Sequence, residues 1–195
     1  VPKMDNLRIL ALLSTALYYA AYIIKMLLLK SRGITGSLLA KGRKPKKELI
    51  IEFSLRAATL GGAAVQFLSV VIPDGILTPY PLSGFVRLAG LILTVAGNIF
   101  FIAAMVEMKN NWRAGFSTDQ NTELVTGGIY RISRNPAFVG FDLVYVGCAL
   151  LYPNIINIAV TLIALALFHM QILGEEKFMA VEFGESYLSY KGNVR

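Results

Sequence analysis

Three clusters of side chains in this sequence could do chemistry. The first is Asn110-Asn111-Trp112-Arg113. The second runs from Thr122 to Phe138 and holds Glu123, Gly127-Gly128, Tyr130, Arg131, Arg134 and Asn135-Pro136. The third is Gly174-Glu175-Glu176, followed by Phe183-Gly184, Tyr187 and Tyr190. Each has a purely structural reading. Trp112 and Arg113 suit a membrane interface, where Trp and basic residues gather. Pro136 suits the first position of a helix, where its missing N–H costs nothing, with Arg134 as a positive anchor. Glu175 and Glu176 suit a solvated helix end. Taken together the clusters suit something sharper. A carboxylate, an amide, an Arg, aromatic faces and a Gly-Gly backbone in one place would hold a zwitterionic ligand that also carries a cationic centre. The carboxylate pairs with an ammonium, the donors with a carboxylate, and the aromatics with a sulfonium or an adenine ring.

Other chemistries are poorly supplied. The chain has one histidine, His169, and one cysteine, Cys148. No cluster offers two His or Cys ligands, so no metal site is expected, and a Ser-His-Asp or Cys-His set cannot be assembled credibly. A G-x-G-x-x-G or P-loop cradle is absent. His169 reads as a packed or helix-bonded residue, Cys148 as a small core residue, and Glu52 with Arg56, four apart, as an ion pair on one helix face.

The elements that must position these clusters are membrane helices. The chain has 195 residues, 55% of them hydrophobic and 16% charged, against about 25% charged in a soluble domain. The apolar residues form runs that predict an all-α integral membrane protein of one domain, with five spans at about 7–29, 49–72, 85–105, 137–151 and 155–173. The first, at 1.5 Å per residue, reaches roughly 34 Å, enough for a hydrocarbon core of about 30 Å. The fourth is short for a crossing. Lys25 can snorkel to the interface. Asn98 is the only polar amide inside the third span. Tyr152-Pro153-Asn154 predicts a tight turn, and the tail is expected to stay helical as far as Gly184, since Phe178, Val181 and Tyr187 recur at helix-like spacing. The first run is too long for a cleavable signal peptide, and Met4 is read as the native start.

Loop charges set the orientation. Of a net charge of +7, seven basic residues lie between Lys30 and Lys47, whereas the 73–84 loop carries only Asp74. The positive-inside rule then places segments 30–48, 106–136 and 174–195 in the cytoplasm and the N-terminus outside, in a multi-pass protein of the plasma (inner) membrane. The positive charge therefore points to the lipid bilayer, with no nucleic-acid partner implied. The second and third clusters meet on one face, where a short hairpin lets Asn135 and Phe138 face Glu175.

The order Leu-Val-x-x-Gly-Ile-Tyr, Arg-x-Pro with an aromatic two residues on, a short hairpin, Glu-Glu and Phe-Gly-x-x-Tyr-x-x-Tyr resembles the isoprenylcysteine carboxyl methyltransferase family. It also resembles the wider group of membrane methyltransferases that includes the phospholipid N-methyltransferases. The likeness covers Asn110 to Tyr190. It implies a cytosol-facing pocket for S-adenosylmethionine, with contacts at Thr122, Glu123, Leu124, Val125, Tyr130, Asn135, Pro136, Ala137, Phe138 and Glu175. Arg134, Asn135 and Glu175 become the candidate catalytic residues; Trp112, Arg113 and Gln171 become candidates for the acceptor side. Two departures from the family's pattern matter, at three positions. Asn135 and Phe138 stand where it has His and Tyr, and Phe138 has no hydroxyl to offer. Gln171 stands where the eukaryotic members place an Arg that helps hold the prenylcysteine carboxylate. A neutral amide holds a carboxylate more weakly than a guanidinium does, which argues for a different acceptor.

The expected function is methyl transfer from S-adenosylmethionine to a lipophilic small molecule or lipidated acceptor, at O, N or S. One rival is an NADPH-dependent membrane reductase of the sterol reductase type. That cofactor needs several basic residues, and only Arg113, Arg131 and Arg134 lie near the hairpin, with Glu175-Glu176 opposing its phosphates. The other rival, a non-enzymatic membrane scaffold, explains the spans but not the clustering.

Overall fold

A computed structural model describes residues 6–41, 44–72, 74–115 and 123–194. Five α-helices follow one another: α1 Asn6–Ser31, α2 Lys46–Val71, α3 Gly84–Met108, α4 Pro136–Leu151 and α5 Ile155–Asn193. Among the described residues there is no β-strand, only one isolated bridge between Ser37 and Ala114. Helices α1, α2, α3 and α5 are each long and apolar enough to cross a membrane. Helix α4, with 16 residues, reaches about 24 Å and falls short of the hydrocarbon thickness. Large apolar side chains such as Leu13, Phe53, Leu60, Phe85 and Ile99 are exposed. In water this would be a liability; on an integral membrane protein it is the lipid-facing surface.

Helix α3 packs along α4, α2 along α5, and α1 along α3. The α3–α4 seam is set by glycines. A Cβ on Gly97 would lie 2.7 Å from the Gly140 carbonyl oxygen, and one on Gly90 would lie 2.8 Å from that of Gly147. The reverse contacts, from Gly140 and Gly147, are as tight. Small residues let backbones approach where lipid supplies no hydrophobic drive between helices. Asn98 is buried beside this seam, and its amide donates to Ser14 O and Oγ, both at 2.9 Å. At the far end of α4 the predicted turn is present. Asn154 caps α5 by accepting from the Asn157 amide at 2.9 Å and donates to Ser69 Oγ at 3.0 Å, tying the hairpin to α2.

Three expectations change, for Gly184, Glu52 and His169. The tail does not end its helix at Gly184: that residue takes a non-helical φ of 51°, and the helix resumes to Asn193. Glu52 pairs with Lys44 at 2.7 Å and not with Arg56, which is exposed; the i, i+4 spacing allowed the pair, but the chain before α2 folds back and offers a buried ammonium instead. His169 is exposed on the outer face of α5 and is not packed into the core. Lys25 reaches the end of α3, donating to the carbonyls of Met105 at 2.7 Å and Lys109 at 2.8 Å. A cation there offsets the partial negative charge of a helix C-terminus. Cys148 is buried in the core, as expected.

Candidate active site

The polar segments gather at one end of the bundle. The loop after α1 is held to the segment after α3: Leu38 N donates to Ala114 O at 2.8 Å, and Ala114 N to Gly36 O at 2.9 Å. Arg32 donates to Asn110 Oδ1 at 2.6 Å. Gly127 and Gly128 lie against the Glu107 side chain at the end of α3; Gly128 has φ +53°, and a Cβ there would collide with that carboxylate. A 3-10 turn at Gly128–Arg131 follows and buries Tyr130. Beyond the kink, Tyr190 returns to donate its hydroxyl to Tyr130 O at 2.6 Å. The kink therefore serves the site: it folds the end of α5 back over the turn that precedes α4.

Helix α5 continues unbroken through Glu175 and Glu176, so the two side chains point about 100° apart. Glu176 faces the start of α4. It accepts from Arg134 at 2.8 Å and Asn135 Nδ2 at 3.2 Å, and pairs with Lys191 at 2.9 Å. Burial would raise its carboxyl, but hydrogen bonds from Lys191 and Arg134 outweigh that and hold it below the usual carboxylate range. Arg134 also donates to Val194 O at 2.5 Å. The expectation that Asn135 faces Glu175 is therefore corrected; its partner is Glu176. Glu175 points the other way, accepting from Gln171 Nε2 at 3.0 Å. Burial pushes its carboxyl up to about 7, against the lowering effect of that hydrogen bond. No described cation forms an ion pair with it.

The other sequence candidates fall around this pair. Phe138 sits in an aromatic core, 5.4 Å from Phe141 and 6.0 Å from Phe168, and Pro136 and Ala137 are buried with it. Leu124 and Val125 are half-buried, and Val125 packs against the cluster that holds Tyr130. Glu123 is exposed, its amide donating to Asn111 Oδ1 at 3.4 Å. Thr122 lies outside the described residues. Trp112 is buried against Phe101, with ring centres 5.8 Å apart, and its indole N–H has no hydrogen-bond partner among the described residues. Arg113 donates to the carbonyls of Asn110 and Trp112. Gln171 is buried, with its amide given to Glu175 and Glu52. Two acidic residues were not singled out by the sequence clusters. Glu52 was read only as half of a local pair. Asp142, on α4 opposite His169, has an Oδ1 without a hydrogen-bond partner among the described residues. Among the described residues no group of His, Cys, Asp or Glu could hold a metal ion.

Comparison with known proteins decides the family. The phospholipid methyltransferase profile matches residues 85–186, more than half of the chain. The chain belongs to the phospholipid methyltransferase family. The matched segment begins in α3 and includes this chain's Gly-Gly turn, α4 and Glu175-Glu176 pair. Similar curated proteins include protein-S-isoprenylcysteine O-methyltransferase A of Arabidopsis thaliana, 30% identical over 108 residues, which are 54% of this chain and 55% of that protein. The Xenopus laevis protein-S-isoprenylcysteine O-methyltransferase is 31% identical over 109 residues, 54% of this chain and 38% of that one. The Schizosaccharomyces pombe protein of the same name is 30% identical over 95 residues, 47% and 40% respectively. The chain thus spans about half, or less, of the length of these relatives.

Proposed function

We propose that this protein transfers a methyl group from S-adenosylmethionine to a lipophilic or lipidated acceptor, at the cytoplasmic face of a membrane. One observation carries the cofactor reading: Glu175 is a half-buried carboxylate that accepts a hydrogen bond from a neutral amide and forms no ion pair with a described cation, while Arg134 and Lys191 are already paired with Glu176. Such a group fits a ligand ammonium and repels phosphates. The donor set therefore fits an aminoacyl sulfonium cofactor better than a dinucleotide. Glu175 would hold the ammonium. Asn135 and Arg134 lie on the carboxylate side, with Tyr130 and Phe138 among the apolar walls. When bound, S-adenosylmethionine supplies a methyl carbon open to direct displacement. The chain contributes alignment, which can account for much of the acceleration in such a reaction, and burial, which strengthens each charge contact. Gln171, spent on two carboxylates, acts through Glu175 and not on the acceptor. Trp112 and Arg113 remain on the acceptor side.

The deciding experiment is calorimetry on the purified protein in detergent with S-adenosylmethionine and NADPH, followed by incubation with labelled S-adenosylmethionine and membrane lipid extract. The expected result is binding of S-adenosylmethionine alone and label in a lipophilic product identified by mass spectrometry. Tight NADPH binding with none for S-adenosylmethionine sinks the reading.

A further inference from the structure

The N-terminal half reaches the site through one carboxylate. Glu52, on α2, has no exposed surface. Lys44 Nζ donates to both its oxygens at 2.7 Å, and the Ala40 amide to Oε2 at 2.8 Å. Gln171 Nε2 donates to Glu52 Oε1 at 3.4 Å and to Glu175 Oε1 at 3.0 Å. One amide nitrogen thus bridges two carboxylates, of which Lys44 neutralises only the first. Lys44 and Glu52 lie outside the segment shared with the family, residues 85–186. The N-terminal half thus contributes two of the groups in this link, and Gln171 of α5 joins them to Glu175.

We infer that the Lys44–Glu52 pair is a positioning device for Glu175, acting through Gln171 to fix where that carboxylate points and to keep it free for the ammonium of the bound cofactor. The inference rests on the cofactor reading above. Its physics is charge bookkeeping in a low dielectric. Without Lys44, Glu52 becomes a second uncompensated carboxylate beside Glu175, and like charges resist joint ionisation. Without Glu52, Lys44 is a cation that has lost its carboxylate partner while its field still reaches Glu175, where it opposes the ligand's ammonium. With both present, Gln171 has a fixed second acceptor and holds its amide toward Glu175. The groups facing Glu175 are Gln171 on its own helix, Glu52 and Lys44 from α2 and the chain before it, Tyr130 from the turn before α4, and Tyr187 from beyond the kink. Of these charges, Glu52 raises the Glu175 carboxyl and Lys44 lowers it.

The test measures S-adenosylmethionine affinity of the full chain in detergent by calorimetry from pH 5.5 to 8. The ligand's own titration is common to every variant and cancels in the comparison. For the unmodified protein, affinity should rise as pH passes about 7, where Glu175 ionises. A neighbouring charge moves a carboxyl by about one pH unit or more, so Lys44→Met should shift that rise upward and weaken binding at pH 7 about five-fold. Lys44→Arg should restore the unmodified profile. In a Glu175→Gln background, Lys44→Met should change affinity little, since the group it acts on is gone. Lys44→Met leaves a buried unpaired carboxylate, so Lys44→Met with Glu52→Leu is made beside it; an apolar replacement of a whole buried pair commonly folds. That variant should also bind more weakly, because Gln171 loses its anchor. The same loss from Lys44→Met in both backgrounds with no shift in pH profile, or unmodified affinity in the double replacement, overturns the inference. No binding by the unmodified chain overturns the cofactor reading, and this inference with it.

Discussion

Adjacent residues on one helix take opposite roles in this site. Glu175 and Glu176 are the same residue type given different directions by their helix, so that one accepts from Gln171 and is proposed to meet a ligand, and the other ties α5 to the start of α4. Glu175→Gln keeps the shape and removes the charge. A charge-assisted contact to a ligand ammonium contributes roughly 1.5–3 kcal/mol, so S-adenosylmethionine affinity should fall about 10- to 150-fold. The substitution should also change how the cofactor-free protein responds to pH. The Glu175 carboxyl is raised by burial to about 7 from an ordinary 4.5. Its contribution to stability is therefore full below the ordinary value, is lost as pH rises to about 7, and is flat above. Glu175→Gln should remove that part of the profile. Glu176→Gln should do the reverse. It should spare more of the cofactor affinity and cost about 1.5–3 kcal/mol of stability above the usual carboxylate range, because Arg134 and Lys191 lose their charged partner. The Glu176 carboxyl is held low, so its contribution is present above the ordinary carboxylate pKa and lost as pH falls through the lowered one. Thermal melts across pH, run beside calorimetry, separate the two. Equal behaviour of the two variants would mean that the division of labour read from α5 is wrong. The sequence showed the pair but not this division, since the residue that faces α4 depends on how far α5 runs unbroken.

At the scale of the element, α4 is the least self-sufficient helix and the most important to place. It is too short to span on its own, and its first residues carry Pro136 with Asn135 just before. Glycine-to-glycine contact with α3 holds it. Hydrophobic runs made the five helices legible, and the turn chemistry of Tyr152-Pro153-Asn154 made the α4–α5 hairpin legible. The glycine seam was not, because Gly90, Gly97, Gly140 and Gly147 are isolated small residues in separate runs and acquire meaning only when the helices pair. The kink at Gly184 was legible as a break but not as a bend, since a glycine reads the same whether the helix stops or resumes. The Lys44–Glu52 pair was hidden because no local spacing links a loop lysine to a helix glutamate. The seam makes a test of its own. In Gly97→Ala the new methyl would lie 2.7 Å from Gly140 O and 2.8 Å from Val144 Cγ2. The helices must separate, and overpacking of this kind costs about 1–3 kcal/mol. Gly61→Ala on α2 meets nothing within 4 Å and should be neutral or slightly stabilising, since alanine favours a helix more than glycine does. Melting in detergent should show a clear drop for the first and none for the second. Two equal melts would mean that α3 and α4 do not pack as closely as described.

At the scale of the whole molecule, the bundle has a chemical end and a plain end. The loop after α1, the segment after α3, the turn before α4 and the kinked end of α5 are joined by the Ser37–Ala114 bridge, the Glu52 network and the Tyr190–Tyr130 hydrogen bond. The α2–α3 and α4–α5 connections form the other end, where the Tyr80 amide donates to Pro153 O at 2.7 Å. Basic residues crowd the chemical end, so the positive-inside rule predicts that it faces the cytoplasm, where S-adenosylmethionine is made. Cysteine accessibility in intact cells tests this cleanly, because the native Cys148 is buried and contributes little background. Lys47 is exposed near the start of α2, whereas Lys44 is committed to Glu52 and would report a damaged site. Thr78 is exposed in the α2–α3 connection. An impermeant thiol reagent should label Thr78→Cys in intact cells and Lys47→Cys only after the cells are opened. Strong labelling of Lys47→Cys from outside would reverse the orientation and leave the Glu175 site without access to a cytoplasmic cofactor. That result would count against the proposed reaction as well as the topology, because the same basic loop that sets the orientation also supplies Lys44 to the site.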